Sequence, residues 1–102
     1  MDLAAILYRF MTLVKEDPRI GPSHISLYLA IINCCKEQGF ELPVSVFSRD
    51  LMKGAKISAC GTYHKCMKDL KDYGYILYIP SYNPVLGSLV GLNMECVRKG
   101  GV

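Results

Sequence analysis

The feature that most constrains this chain is a run of mainly apolar residues from Ile25 to Cys35. The run is interrupted by polar residues and falls well short of the roughly 20 residues that a membrane span requires. Drawn as a helix, it is apolar on most sides, so we expect it to pass through the centre of a core. Ser23 is a suitable N-cap for this helix, and Gly39 can close it after Gln38 in the left-handed conformation.

The chain has room for one domain around this helix, because its 102 residues match the size of a single small domain. Hydrophobic residues make up 51% of the chain and charged residues 21%, with no long tract of Gly, Ser or Pro. This composition excludes a disordered or collagen-like chain. We expect one domain over residues 1–96 and a flexible tail over residues 97–102.

The cysteines and the N-terminus indicate a cytoplasmic protein. The five cysteines are odd in number, include the adjacent pair Cys34 and Cys35, and form no CxxC, so neither a disulfide framework nor a zinc ribbon fits them. The apolar segment from Leu3 to Val14 has no basic leader and no small-residue cleavage site after it, so we expect neither export nor membrane association.

Periodicity and turn residues predict the other elements. A first helix runs from Leu3 to Val14, with Asp2 as its cap and Pro18 marking its end, and an edge strand containing Pro43 lies at residues 40–44. A third helix starts at Ser45 or Ser48 and is broken near Gly54. A fourth helix begins within residues 58–61 and continues to Tyr73, and a hairpin follows with strands at residues 75–79 and 89–94. The predicted class is α+β, with the order α-α-β-α-α-β-β.

The third and fourth predicted helices form the layout of a helix-turn-helix. A short helix carrying Leu51 and a longer helix carrying Tyr63 and Leu70 flank a tight turn that contains one apolar residue, Ile57. Because a β-hairpin follows directly, we predict a winged helix-turn-helix. Its recognition helix, at about residues 59–73, would lie in the major groove of double-stranded DNA.

The positive charge of the chain lies in this same segment. Residues 45–75 carry six Lys or Arg against three Asp, a net +3 that equals the net charge of the whole chain. Polar side chains near a helix start can reach base edges, and lysines can neutralise phosphates. The predicted DNA-binding residues are Lys53, Lys56, Ser58, Thr62, His64, Lys65 and Lys68.

Several segments also resemble a known group of proteins. They are residues 17–20, 24–28, 62–70, 73–76 and 81–84 with Gly87-Ser88, including the strings TYHKC and SYNP..GS. Over about residues 5–92 the chain resembles short winged-helix proteins that are encoded on mobile elements of gut anaerobes and usually labelled transcriptional regulators. More distantly, it resembles the N-terminal domains of phage and plasmid replication proteins. The resemblance implies a DNA-binding winged helix that acts in transcription or in the replication or mobilisation of a mobile element.

An alternative function is protein–protein interaction through a hydrophobic wing, without specific DNA binding. No arginine lies on the predicted recognition helix, and the loop from Ser81 to Ser88 has no basic residue. Val85 and Leu86 stand at the loop tip, where the resembling group has an aromatic residue and a lysine. We expect a homodimer that uses either this tip or the N-terminal helix, because 51% hydrophobic residues is more than a lone small domain easily buries.

Other chemistry has less support in the sequence. Cys60 and His64 have the i, i+4 spacing of two metal ligands, but no further ligand is predictable, so we expect no metal site. There are no paired carboxylates on one face, no nucleophile elbow and no glycine-rich phosphate loop after a strand. We therefore expect a protein that is not an enzyme, with no catalytic residue, no cofactor and no small-molecule ligand.

Overall fold

The computed structural model of the chain describes residues 2–81 and 87–92, which form one α+β domain. In chain order, the elements of this part are α1 (Leu3–Lys15), α2 (Pro22–Glu37), β1 (Val44–Val46), α3 (Ser48–Ala55), α4 (Cys60–Asp72), β2 (Ile76–Ile79) and β3 (Ser88–Leu92). The three strands form one antiparallel sheet with the order β1-β3-β2. The predicted single-domain α+β class is confirmed.

Helix α1 forms as its sequence predicts. The Asp2 carboxylate caps it by accepting a hydrogen bond from the backbone N–H of Ala5, at 3.2 Å. Its buried face holds Ile6, Phe10 and Val14. The Phe10 ring stacks on the Tyr28 ring of α2 with centroids 3.7 Å apart, which fixes α1 against the centre of the core.

Helix α2 is the core helix that the apolar run predicts, since Leu27, Ile31 and Cys35 are fully buried. Gly39 follows it with φ of +73°, as expected for a left-handed residue at a helix end. The predicted N-cap was wrong: Gly21 occupies that position, and Ser23 lies inside the first turn. The imidazole of His24 takes over the capping role, because its Nδ1 accepts the backbone N–H of Gly21 at 3.0 Å.

The first strand overlaps the predicted range of residues 40–44 only at its last residue. It begins at Val44, the last residue of the predicted range, and pairs with β3 at the edge of the sheet, so its predicted edge position is confirmed. Phe40 has φ of +59° and cannot belong to an extended strand. The alternation that builds the strand is Val44, Ser45 and Val46, because both valines face the core.

Helix α3 starts at Ser48, one of the two predicted starts, and the predicted break near Gly54 is confirmed, because the helix stops one residue after it. It ends at Ala55, and Lys56 takes the left-handed conformation with φ of +61°. Gly54 also faces α2: a Cβ at this position would lie 3.4 Å from the Cβ of Ala30, an ordinary van der Waals contact.

The hairpin of β2 and β3 has one buried and one exposed face. Ile76 pairs with Leu92, and Ile79 pairs with Leu89. Ile76, Val90 and Leu92 are buried, whereas Leu77, Ile79 and Leu89 are exposed on the opposite face.

Several predictions lie outside the described residues: the tip at Val85 and Leu86, the end of the last strand at residues 93–94, and the tail at residues 97–102. In the ranges that the structure describes, no helix has the length and apolar character needed to cross a membrane.

Candidate nucleic-acid interface

Helix α4 divides into two faces, as its spacing predicts. Tyr63, Cys66, Met67 and Leu70 are buried at positions i, i+3, i+4 and i+7. Thr62, His64, Lys65 and Lys68 are exposed on the other side. Because every large apolar side chain of α4 faces the core, the exposed face is available for a polar ligand such as DNA.

The turn between α3 and α4 brings the remaining predicted residues close to this face. Lys53 lies in the last turn of α3, Lys56 ends that helix, and Ser58 lies in the connecting turn, all three exposed. The backbone N–H of Ile57 donates to the carbonyl of Met52 at 3.0 Å, which closes the turn. Ile57 is buried, so it anchors the turn in the core as the sequence predicts.

We use the name "α3–α4 surface" for the seven predicted residues together with Arg49. Arg49 is exposed in the first turn of α3 and was missing from the predicted set, although its position in the basic segment was a signal for it. A groove of about 520 Å³ between α3, α4 and the hairpin is lined by Arg49 and His64 along with hydroxyl-bearing residues such as Ser88. The groove extends the surface from α4 towards the hairpin.

Two lysines of this surface carry aspartate partners on their own helix. Lys65 Nζ lies 2.9 Å from Asp69 Oδ2, and Lys68 Nζ lies 2.6 Å from Asp72 Oδ2. These i, i+4 hydrogen bonds to the aspartates raise the pKa of both lysines. They also offset the positive charge of α4, so the uncompensated charge of the surface lies mainly on α3.

A buried histidine holds one of these aspartates in place. His24 is only 7% exposed, and its Nε2 donates to Asp69 Oδ2 at 2.8 Å. Since Nδ1 accepts the N–H of Gly21, Nε2 is the ring nitrogen that donates to Asp69. The hydrogen bond from His24, followed by that from Lys65, lowers the pKa of the Asp69 carboxyl. The start of α2 is thus connected through Asp69 to Lys65 on the exposed face of α4.

A second polar cluster fixes the far end of α4. The Arg19 guanidinium donates two hydrogen bonds to Asp17, both 2.8 Å long, and stacks on the Tyr73 ring with its Cζ 3.9 Å from the centroid. The hydroxyl of Tyr75 donates to Asp17 Oδ2 at 2.8 Å. The Arg19 hydrogen bonds lower the pKa of Asp17 far below its usual value. This cluster joins the loop after α1 to the segment between α4 and β2.

Sequence reasoning missed both clusters. No pattern in the sequence connects His24 to Asp69, 45 positions later. Asp17 and Tyr75 are 58 positions apart. The two residues of each contact are not related by helix or strand periodicity, so a single sequence contains no signal for either contact.

The surface is therefore polar, positive on α3, and held on a rigid core. Comparison with protein-family models, with curated proteins and with solved structures finds no significant match. The function is accordingly inferred from the chemistry of the α3–α4 surface together with the sequence resemblance over about residues 5–92.

The cysteines and histidines do not assemble a metal site within the residues that the structure describes, where no group of three or more His, Cys, Asp or Glu side chains could hold an ion. Cys60 and His64 both lie exposed on α4. Cys35 is buried, and burial raises the pKa of its thiol to about 11. Burial also raises the pKa of the Cys34 and Cys66 thiols, which are therefore small packing groups and weak nucleophiles at neutral pH.

Proposed function

We propose that this protein is a DNA-binding winged-helix protein without catalytic activity, acting as a small transcriptional regulator or as a replication or mobilisation accessory factor of a mobile element. The observation that carries this function is the division of α4. Its inner face is buried through Tyr63, Met67 and Leu70, while its outer face exposes Thr62, His64 and Lys65. A helix with this division can lie in the major groove while remaining packed on its domain.

The neighbouring elements support a helix-turn-helix with a wing. Helix α3, the buried Ile57 of the turn, and α4 have the order and spacing of the two helices of that motif, and the β2–β3 hairpin follows α4 directly. With α4 in the groove, the hairpin would lie against the adjacent backbone as the wing. The groove lined by Arg49 and His64 separates the two contact regions.

The charges of the surface favour weak, salt-dependent binding. Arg49, Lys53 and Lys56 form no ion pair within the described part of the chain, so they can contact phosphates without losing a partner. Lys65 and Lys68 would have to exchange an aspartate for a phosphate, which reduces their gain on binding. Because most of the affinity of such surfaces comes from phosphate contacts, sequence preference is expected to be modest.

Fluorescence anisotropy with labelled duplex DNA at several salt concentrations tests this function. With about four phosphate contacts, log affinity should fall with log salt at a slope of about −3 to −4. The double variant Lys53→Ala/Lys56→Ala should reduce the steepness of that slope by about 2. Lys15→Ala, an exposed lysine at the end of α1, is the matched control and should leave the slope unchanged. Affinity that does not change with salt would exclude DNA binding through this surface.

A second function, protein–protein interaction through a winged helix, is favoured by a different observation. Leu77 and Ile79 are 60% and 61% exposed on the outer face of the hairpin, next to the partly exposed Leu89. Apolar side chains on a wing suit a protein partner better than a phosphate backbone. The anisotropy experiment separates the two functions, because a protein that acts only through its wing leaves duplex DNA unbound at low salt.

A further inference from the structure

The two edges of the sheet differ in how their backbone groups are satisfied. On the β1 edge, the side chain of Gln38 lies beside Ser45 in the position that another strand would take. Gln38 Nε2 donates to the carbonyl of Ser45 at 2.7 Å, and Gln38 Oε1 accepts the Ser45 N–H at 3.3 Å. One amide side chain thus occupies both backbone groups through which β1 could pair with a further strand.

The β2 edge has no equivalent protection among the described residues. The strand order β1-β3-β2 places β2 on the opposite edge, paired on one side only. No described side chain bonds the outward backbone groups of Ile76–Ile79, and this strand contains neither a charge nor a proline. Charged residues, prolines and bulges are the usual means of preventing an edge strand from pairing, and β2 uses none of them.

The outer face of this same edge is apolar. Leu77 and Ile79 are 60% and 61% exposed, and Leu89 of the neighbouring strand is 37% exposed. Leu89 pairs with Ile79, and Gly91 pairs with Leu77, so Leu77, Ile79 and Leu89 form one patch beside the open edge. Within the described residues, the outward backbone groups of β2 and the apolar side chains of this patch therefore lie side by side, and neither has a partner.

We propose that a second copy of this chain pairs with the open edge, β2 against β2 in antiparallel orientation, to form a six-stranded sheet across a two-fold axis. This assembly does not depend on DNA binding. An axis through Tyr78 places Leu77 opposite Ile79 of the partner subunit and Ile79 opposite Leu77 of the partner subunit, so that the two apolar patches merge.

A second copy fits this edge for reasons of charge and symmetry, and the area available sets its strength. An uncharged strand does not repel its own copy, and antiparallel pairing about a two-fold axis is self-complementary. Three partly exposed apolar side chains from each copy supply less than the about 800 Å² per partner of a standard stable interface. The dimer is therefore weak and depends on concentration.

The exposed face of α1 is the alternative surface of the described chain. Tyr8 and Met11 are 70% and 47% exposed there. A helix satisfies its own backbone hydrogen bonds, so α1 offers a partner only side-chain area, whereas β2 offers both side-chain area and backbone groups. This difference favours β2 over α1.

Sedimentation equilibrium of the full chain between low and high micromolar concentration tests the proposed interface. The wild type should shift from the 11.4 kDa monomer towards twice that mass. Leu77→Lys/Ile79→Lys should abolish the shift, because it places like charges opposite one another across the axis. The matched control Tyr8→Lys/Met11→Lys should dimerise as the wild type does. A wild type that stays at 11.4 kDa, or a β2 variant that dimerises normally, would overturn the proposed interface.

Amide hydrogen exchange of the wild type gives a second test that does not require a folded variant. The outward amides of β2 should gain protection as concentration rises, and those of β1 should not change. Protection that rises on α1 instead, or on no element, contradicts pairing through β2. Loss of dimerisation in the Tyr8→Lys/Met11→Lys protein alone would assign the interface to α1. Because none of these readouts uses DNA, failure of the dimer and failure of the proposed DNA binding are separate results.

Discussion

Replacing Leu70 with alanine measures how firmly α4 is held on the core. Leu70 is fully buried on the inner face of α4, opposite the proposed DNA-contacting residues. The change removes three buried carbon atoms, worth about 2.4 kcal/mol at ~0.8 kcal/mol each. The cavity left behind adds to this loss, so we expect the free energy of unfolding to fall by about 2 to 5 kcal/mol. That is a large part of the ~5–15 kcal/mol by which a domain is stable.

Urea unfolding followed by far-UV circular dichroism measures this change, provided that the slope of the transition stays the same. Leu29→Ala is the matched control: it makes the same substitution in a helix, at a side chain that is 48% exposed, and should cost less than about 1 kcal/mol. Equal losses for the two variants would refute the reasoning, because they would show that Leu70 is not packed in the core.

Three further predictions concern the polar clusters and the helix contact. Asp17→Asn should lower the free energy of unfolding at neutral pH and make that free energy fall less on acidification. The reason is that a carboxyl whose pKa is lowered by folding contributes stability that disappears as pH falls below about 4. Urea unfolding at neutral pH and at about pH 3 measures both effects. Asp69→Asn should strengthen DNA binding at low salt, because it releases Lys65 from its ion pair. Fluorescence anisotropy measures this affinity, and an unchanged value in the variant would mean that Lys65 does not contact DNA. Gly54→Val should destabilise the fold by about 1–3 kcal/mol in urea, because the added methyl groups meet Ala30 on α2, whereas unchanged stability would show that α2 and α3 can separate.

Much of the helical structure could be predicted because it depends on local order along the chain. The i, i+3, i+4 spacing in α1 and α4 specifies which side chains are buried, and Asp2 and Gly39 mark helix ends through their own chemistry. The exposure of Lys53, Thr62, His64, Lys65 and Lys68 follows from the same periodicity, whereas Lys56 and Ser58 lie between the two helices. Their role in binding DNA stays a prediction.

Local rules failed where a distant residue decided the outcome. Ser23 has the chemistry of an N-cap, but the His24 imidazole, held by Asp69 from α4, caps α2 at Gly21 instead.

By itself, the sequence determined that a small α+β domain forms around the apolar helix α2, with a positive segment that includes an amphipathic helix. These properties follow from side-chain periodicity and composition, which act between near neighbours in the chain. Only the tertiary structure decided that His24 bonds Asp69, that Tyr75 bonds Asp17, and that Gln38 covers one sheet edge while β2 stays open within the described residues. Such outcomes depend on rotamers and on strand order, because hydrogen bonds and ion pairs form only between groups that folding brings within about 3 Å of each other.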